Sequence, residues 1–290
     1  MSLIYRDFDQ AGLDAAYNNR AAVPHFQGMV DRWAAASVQA RARLAGDLNR
    51  AYGPTPRQVL DIFRPTTPAP ATGWPALLYF HGGYWQGNHK DGYSFPALKV
   101  TQAGALYIAA TYDLCPDVTM TALIEQTRAA VAWLHHNAAG IGLDPGRLVV
   151  AGHSAGGHIT ASLAHTDWAA RGLPANTLAG ALPLSGLYDL EPIRLSYLNA
   201  ACRMDAAEAA ALSPMRHISR SPPPTVLAVG AAELPELVRQ TRDYAAALAA
   251  AGVPARAVLE TPGDDHFSIV DRLFDPTGWL WPQVLEMLGV

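Results

Sequence analysis

The chain has 290 residues, 50% of them hydrophobic and 16% charged, with a formal net charge of −4 and a pI near 6.2. That composition supports a sizeable core, excludes a disordered chain, and argues against nucleic acid or an anionic membrane as partner. Two cysteines in no metal-like spacing, no basic-then-apolar leader and no apolar run of membrane-spanning length lead to the expectation of a cytoplasmic location.

Residues 7–52 read as helical and polar, with Asp14, Tyr17, Asn18, Asn19 and Arg20 clustered. Residues 58–63 are strand-like. The Pro/Thr/Ala run over 65–75 that follows is a surface loop within a sheet and not a linker. Beyond it, apolar runs at 76–80, 105–110, 147–151, 180–184, 225–229 and 255–259 alternate with helix-like stretches at 94–103, 120–139, 155–169, 235–251 and 276–288. Short apolar runs without period-two alternation fit strands covered on both faces. The expected fold is therefore α/β, a mostly parallel central sheet flanked by helices, in one domain over residues 1–290. Residues 186–224 break the alternation and end in Pro222-Pro223-Pro224. An excursion of that length is expected to build a lid or pocket wall.

The run 147–151 leads directly into Gly152-His153-Ser154-Ala155-Gly156-Gly157, a G-x-S-x-G turn followed by a helix-forming stretch. Such a turn is tight and strained. Its glycines prevent clashes, and it lifts the serine hydroxyl clear of the sheet at a helix N-terminus. Ser154 is thus the candidate nucleophile. At the end of the run 76–80 stands His81-Gly82-Gly83-Tyr84-Trp85, where small residues let backbone N–H groups approach a carbonyl oxygen. Gly82, Gly83 and Ala155 are the candidate oxyanion donors. This set of motifs in this chain order is that of the α/β-hydrolase fold.

The base in that fold lies late in the chain. His158 and His165 sit along the helix behind the serine, and His217 lies in the 186–224 excursion. His266 follows the last strand and the turn Thr261-Pro262-Gly263-Asp264-Asp265, so it is the candidate base. The acid should follow the run 225–229, where Glu233 is the first carboxylate. Glu236 falls in the first turn of the next helix, and Asp264 and Asp265 suit turn formation, so both stand behind Glu233 as acid.

These motifs resemble kynurenine formamidase (arylformamidase) and its bacterial α/β-hydrolase relatives. The resemblance is carried by His81-Gly82-Gly83-Tyr84-Trp85, Gly152-His153-Ser154-Ala155-Gly156-Gly157-His158 and Asp265-His266-Phe267-Ser268. It extends to Tyr17-Asn18-Asn19-Arg20, Tyr112-Asp113-Leu114-Cys115-Pro116, Ser185-Gly186-Leu187-Tyr188-Asp189-Leu190 and Glu233-Leu234-Pro235-Glu236, so it covers nearly the whole chain. The better-known animal members carry an aspartate where this sequence offers Glu233. The resemblance implies hydrolysis of an aryl formamide by an acyl-enzyme route, with no cofactor and a small aromatic amide or ester as the molecule bound. Tyr84 and Trp85 beside the oxyanion loop, with Tyr188 and Phe267, are the candidate pocket residues.

Short-chain carboxylesterases share the same machinery, and pocket shape separates the two activities. A non-catalytic binding module on this fold would be expected to lack a triad group, yet Ser, acid and His are all present. His135 and His136 are adjacent and diverge on a helix, no HExxH or paired-Cys site occurs, and neither a G-x-G-x-x-G nor a P-loop pattern is found. Metal catalysis and nucleotide binding therefore have no motif here.

Overall fold

The computed structural model describes residues 2–290. The polar N-terminal segment forms α1 (Gln10–Ala16), α2 (Asn19–Ala22) and α3 (Phe26–Arg43). Asp9 caps α1 by accepting the Gly12 amide at 2.8 Å, and Asn18 caps α2 through the Ala21 amide. α3 buries Met29, Trp33, Ser37 and Ala40, one stripe at helical spacing. Then follow β1 (Gly46–Ala51), β2 (Val59–Phe63), β3 (Trp74–Phe80), α4 (Ala97–Gln102), β4 (Leu106–Ala110), α5 (Met120–His136), α6 (Ala138–Ile141), β5 (Leu143–His153) and α7 (Ala155–Ala164). The chain continues through β6 (Gly180–Leu184), the small helices α8 (Glu191–Leu195), α9 (Asn199–Cys202) and α10 (Ala206–Ala211), β7 (Val226–Gly230), α11 (Pro235–Ala250), β8 (Ala257–Thr261), α12 (Ile269–Arg272) and α13 (Trp281–Leu288).

The eight strands form one sheet in the order β1-β2-β4-β3-β5-β6-β7-β8. The β1–β2 and β2–β4 pairs are antiparallel and the rest are parallel. Strand β1 was not expected, because it lies in the stretch that reads as polar and helical. Its sequence, Gly-Asp-Leu-Asn-Arg-Ala, is almost wholly exposed, as suits a charged edge strand. The last helix begins at Trp281 and not at residue 276. Asp275 holds a turn instead, accepting the Thr277 amide on its side chain and the Gly278 amide on its carbonyl, both at 2.9 Å.

The central strands show why their sequences are continuous and apolar. On β3, Ala76, Leu78 and Phe80 pack into the core under α5 and α7, while Leu77 and Tyr79 face the second core with Trp33 and Trp281. On β5, Leu148 and Val150 join the first core, and Val149 and Ala151 the second. Alternate side chains point to opposite faces, so a strand covered on both sides must be apolar throughout. No described helix is long and apolar enough to cross a membrane.

The turn between β5 and α7 fixes everything downstream. Ser154 sits between them with φ 58° and ψ −118°, a left-handed backbone that a non-glycine residue adopts at a cost of about 1–3 kcal/mol. The turn brings α7 against the end of β3. A Cβ on Gly156 would collide with the Phe80 carbonyl, and one on Gly152 with the backbone of Gly156. Gly156→Ala should therefore lower the unfolding free energy by about 3 kcal/mol, read by urea denaturation. Wild-type stability in that variant would contradict the close packing of α7 on Phe80.

Candidate active site

The carboxyl ends of the parallel strands meet loops from four places in the chain around a cleft of about 280 Å³. Ser154, His266, Gly82 and Gly83 all line it, so three distant motifs of the sequence converge on one place. Ser154 is 3% exposed, and a Cβ built on Gly82 would lie 3.1 Å from the Ser154 Cβ, which sets the Gly82–Gly83 loop directly against the serine.

His266 follows β8 and is 4% exposed. Its Nδ1 lies 2.6 Å from Glu233 Oε2. A carboxylate only accepts, so Nδ1 carries the proton and Nε2 is left as the acceptor. Glu233 follows β7, and its side chain is fully buried. Its other oxygen accepts the Gly230 amide at 2.7 Å and the Ser185 hydroxyl. Three donors thus satisfy a buried carboxyl group whose burial would otherwise be costly. Asp264 is taken by Arg272 at 3.1 Å and by the Ser268 hydroxyl at 3.0 Å. Asp265 accepts the amides of Phe267 and Ser268 at 2.8 Å. Both shape the turn that presents His266.

The Gly82–Gly83 loop is clamped from behind. The Gly82 carbonyl accepts from His81 Nδ1 at 2.8 Å and from Asn88 Nδ2 at 3.1 Å. In a trans peptide the following N–H points the opposite way, so this clamp turns the Gly83 amide away from the brace. Neither the Gly82 nor the Gly83 N–H finds an acceptor among the described residues. His81 itself is stacked between Tyr93 and Tyr112, and its Nε2 meets the Thr111 hydroxyl at 3.1 Å. Burial lowers its pKa to about 3, so it is a neutral strut. Ala155 opens α7, where a helix leaves its first N–H groups without an internal partner.

Tyr84 and Phe267 stand on the cleft wall. Trp85 and Tyr188 do not. Trp85 is fully buried beneath the loop, edge-on to His158 at 5.1 Å, with its carbonyl accepting the Cys115 amide. Tyr188 is also fully buried and stacks on Tyr244 at 4.2 Å. The Tyr188 and Asp189 amides both donate to Gln240 Oε1, and this draws the segment toward α11 and away from the cleft. The walls come instead from Trp33 on α3, Tyr93, and Tyr197 and Leu198 of the excursion after β6. The excursion therefore supplies one wall and the N-terminal helices another.

Sequence reasoning singled out neither Ser185 nor His153. Ser185 stands one residue past β6, at the edge of the sheet where functional side chains gather, and that position was the available signal. His153 is buried with its ring 4.5 Å from that of His266. Burial and then the neighbouring His266 hold its pKa well below the usual value.

A family model described as alpha/beta hydrolase fold matches residues 77–269. The chain is 34% identical to a kynurenine formamidase of Danio rerio, across 82% of this chain and 80% of that one. It is 32% identical to a kynurenine formamidase of Salmo salar, across 83% and 82%. The esterase LipQ of Mycobacterium tuberculosis is 29% identical across 74% of this chain and 55% of that protein. Among solved structures, one from a Silicibacter species, described as a candidate thioesterase, has a TM-score of 0.80 at 29% identity, covering 96% of this chain and 99% of that one. A Pyrobaculum calidifontis esterase shares the fold, with a TM-score of 0.69 at 18% identity and coverage of 91% and 92%.

The buried histidines make stability depend on pH. Burial lowers His81 to about 3 and His158 to about 4, although carbonyls of Gly82 and Leu212 pull each partway back. In the unfolded chain both titrate near 6.5. Below pH 6.5 the native state thus binds fewer protons than the unfolded one, and stability present above that pH is lost as pH falls toward 4 and 3. At pH 5 each histidine should cost about 2 kcal/mol. Urea unfolding at pH 7.5 and pH 5 checks this, and His158→Gln should reduce the difference.

Proposed function

Because the chain belongs to the α/β-hydrolase family, as a kynurenine formamidase-like member and hence a hydrolase, we propose that Ser154 attacks the carbonyl of an aryl formamide. The observation that carries this reading is the Glu233-backed His266 sharing a small aromatic cleft with a serine on a strained turn. His266 Nε2 takes the hydroxyl proton as Ser154 Oγ bonds to the formyl carbon. The oxyanion is received by the Gly82, Gly83 and Ala155 amides, each such donor being worth about 3 kcal/mol in comparable sites. His266 then gives the proton to the aryl nitrogen, the C–N bond breaks, and the amine leaves. Water, deprotonated by His266, attacks the formyl-serine ester; collapse returns the proton to Ser154 and releases formate.

Glu233 acts by holding Nδ1–H and by stabilising the imidazolium formed in each step. Its partners Ser185 and Gly230 fix it without competing for the oxygen that faces His266. His153, held neutral beside the imidazolium, adds no opposing charge. The cleft, about 280 Å³ against roughly 300–1,000 Å³ for small-molecule sites, suits one ring with a minimal acyl group. Trp33, Tyr84, Tyr93, Tyr197 and Phe267 give that ring aromatic surfaces.

A short-chain carboxylesterase is the second reading, favoured by the identity with LipQ. Comparing kcat/KM for N-formylkynurenine with that for p-nitrophenyl acetate and butyrate separates the two. The formamide should be the better substrate. An inert formamide beside rapid ester turnover would give the esterase reading. Ser154→Ala should lower kcat by about 10⁵–10⁶-fold without unfolding the protein, and full activity would remove the mechanism. Glu233→Gln should lower kcat by about 10³–10⁴-fold, because an amide no longer fixes the tautomer. Asp264→Asn and Asp265→Asn provide the contrast, with the larger loss expected at Glu233.

A further inference from the structure

The cleft wall carries one formal charge. Its lining residues include no Asp or Glu, and apart from the histidines the sole ionisable cation is Arg20 of α2. Many arginines of this chain are engaged with carboxylates: Arg32 on the next helix with Asp271, Arg239 with Glu236 and Arg272 with Asp264. Arg20 has no ion pair and no side-chain hydrogen bond among the described residues. Its guanidinium carbon lies instead 5.6 Å from the centre of the Phe26 ring. Resting on a ring in this way leaves the N–H donors of a guanidinium available.

The mount of this cation ties it to the reacting groups. Phe26 stacks on Phe267 at 5.1 Å, and Phe267 stands edge-on to the His266 imidazole at 5.5 Å. On the other side, Asn19 donates to the Tyr84 hydroxyl at 2.9 Å, and that hydroxyl donates to the Tyr17 carbonyl at 2.6 Å. The buried Tyr17 phenol is anchored in turn to Glu236 at 3.1 Å and Gln240 at 3.0 Å. The turn bearing Arg20 is therefore bound to the oxyanion loop on one side and to α11 on the other. Its charge also reaches across the cleft: burial raises the phenols of Tyr93 and Tyr197, and Arg20 partly offsets the rise in both. Asp265, on the loop that carries Phe267, is occupied by two amides and lies 3.5 Å from His25.

We infer that Arg20 is a specificity-determining residue whose guanidinium anchors a carboxylate borne on the leaving-group arm of the substrate. A single guanidinium with no second cation beside it matches a monoanionic carboxylate, which it binds through two parallel N–H donors, better than a phosphate dianion. The inference rests on the aryl formamide reading above.

The test compares N-formylkynurenine with 2-formamidoacetophenone, which keeps the ring and formamide and lacks the amino-acid arm. For wild type, the ratio of kcat/KM for the acid over the truncated compound should exceed that of Arg20→Met by about 10- to 100-fold, the scale of a charge-assisted contact. Arg20→Lys should restore part of the ratio, and because Arg20 is exposed, both variants should melt with wild type. A ratio unchanged in Arg20→Met overturns the inference while leaving the formamide reading intact. If wild type cleaves neither formamide, that reading fails. The same ratio is then taken on aryl acetates with and without a carboxylate-bearing arm, and no change in Arg20→Met overturns the anchor there too.

Discussion

The close approach of α7 to the end of β3 is the constraint on which the rest of this molecule depends. Backbone meets backbone at Gly152, Gly156 and Phe80, with no room for a Cβ. That contact forces the chain to reverse within one residue, and the residue at the reversal is Ser154, held at a positive φ. The strain there is offset by the burial of α7, every residue of which is inside the protein. A looser turn would place the serine lower and separate it from the Gly82 loop, which lies against the Ser154 Cβ.

Around this turn the buried polar groups are either fully hydrogen-bonded or held neutral. Glu233 is buried but receives three donors, whereas His81, His153 and His158 are buried and held neutral. The Glu233 carboxyl is thus fully satisfied by donors beside the His266 imidazole, while the other buried imidazoles around the turn carry no charge. The same economy governs the Gly82–Gly83 loop. His81 and Asn88 occupy its carbonyl, so the loop's free hydrogen-bonding capacity is on its amides.

The aromatic wall is assembled from segments far apart in sequence. Trp33 comes from α3, Tyr84 and Tyr93 from the chain after β3, Tyr197 from the excursion after β6, and Phe267 from the loop after β8. Tyr17 joins these parts, since its carbonyl accepts from Tyr84 and its hydroxyl reaches Glu236 and Gln240 on α11. The N-terminal helices are accordingly part of the site and not an appendage to the sheet.

What the sequence determined by itself was whatever depends on neighbours along the chain. The doubly covered strands, the G-x-S-x-G reversal and the Gly82–Gly83 turn have local steric causes, and the order Ser154, Glu233, His266 follows the order of the strands that carry them. The exposed edge strand β1 left no apolar pattern to read, because it is stabilised by pairing with β2 and not by burial. Tertiary structure alone decided which aromatic residues face the cleft. Tyr84 and Trp85 are adjacent and alike in chemistry, yet the loop's backbone turns one toward the cleft and the other under the loop. Tyr188 was drawn away by Gln240, 52 residues distant, and Arg20 became a lone charge in the cleft only when Phe26 and Phe267 stacked. Such outcomes are set by contacts between distant segments, which composition and spacing do not encode.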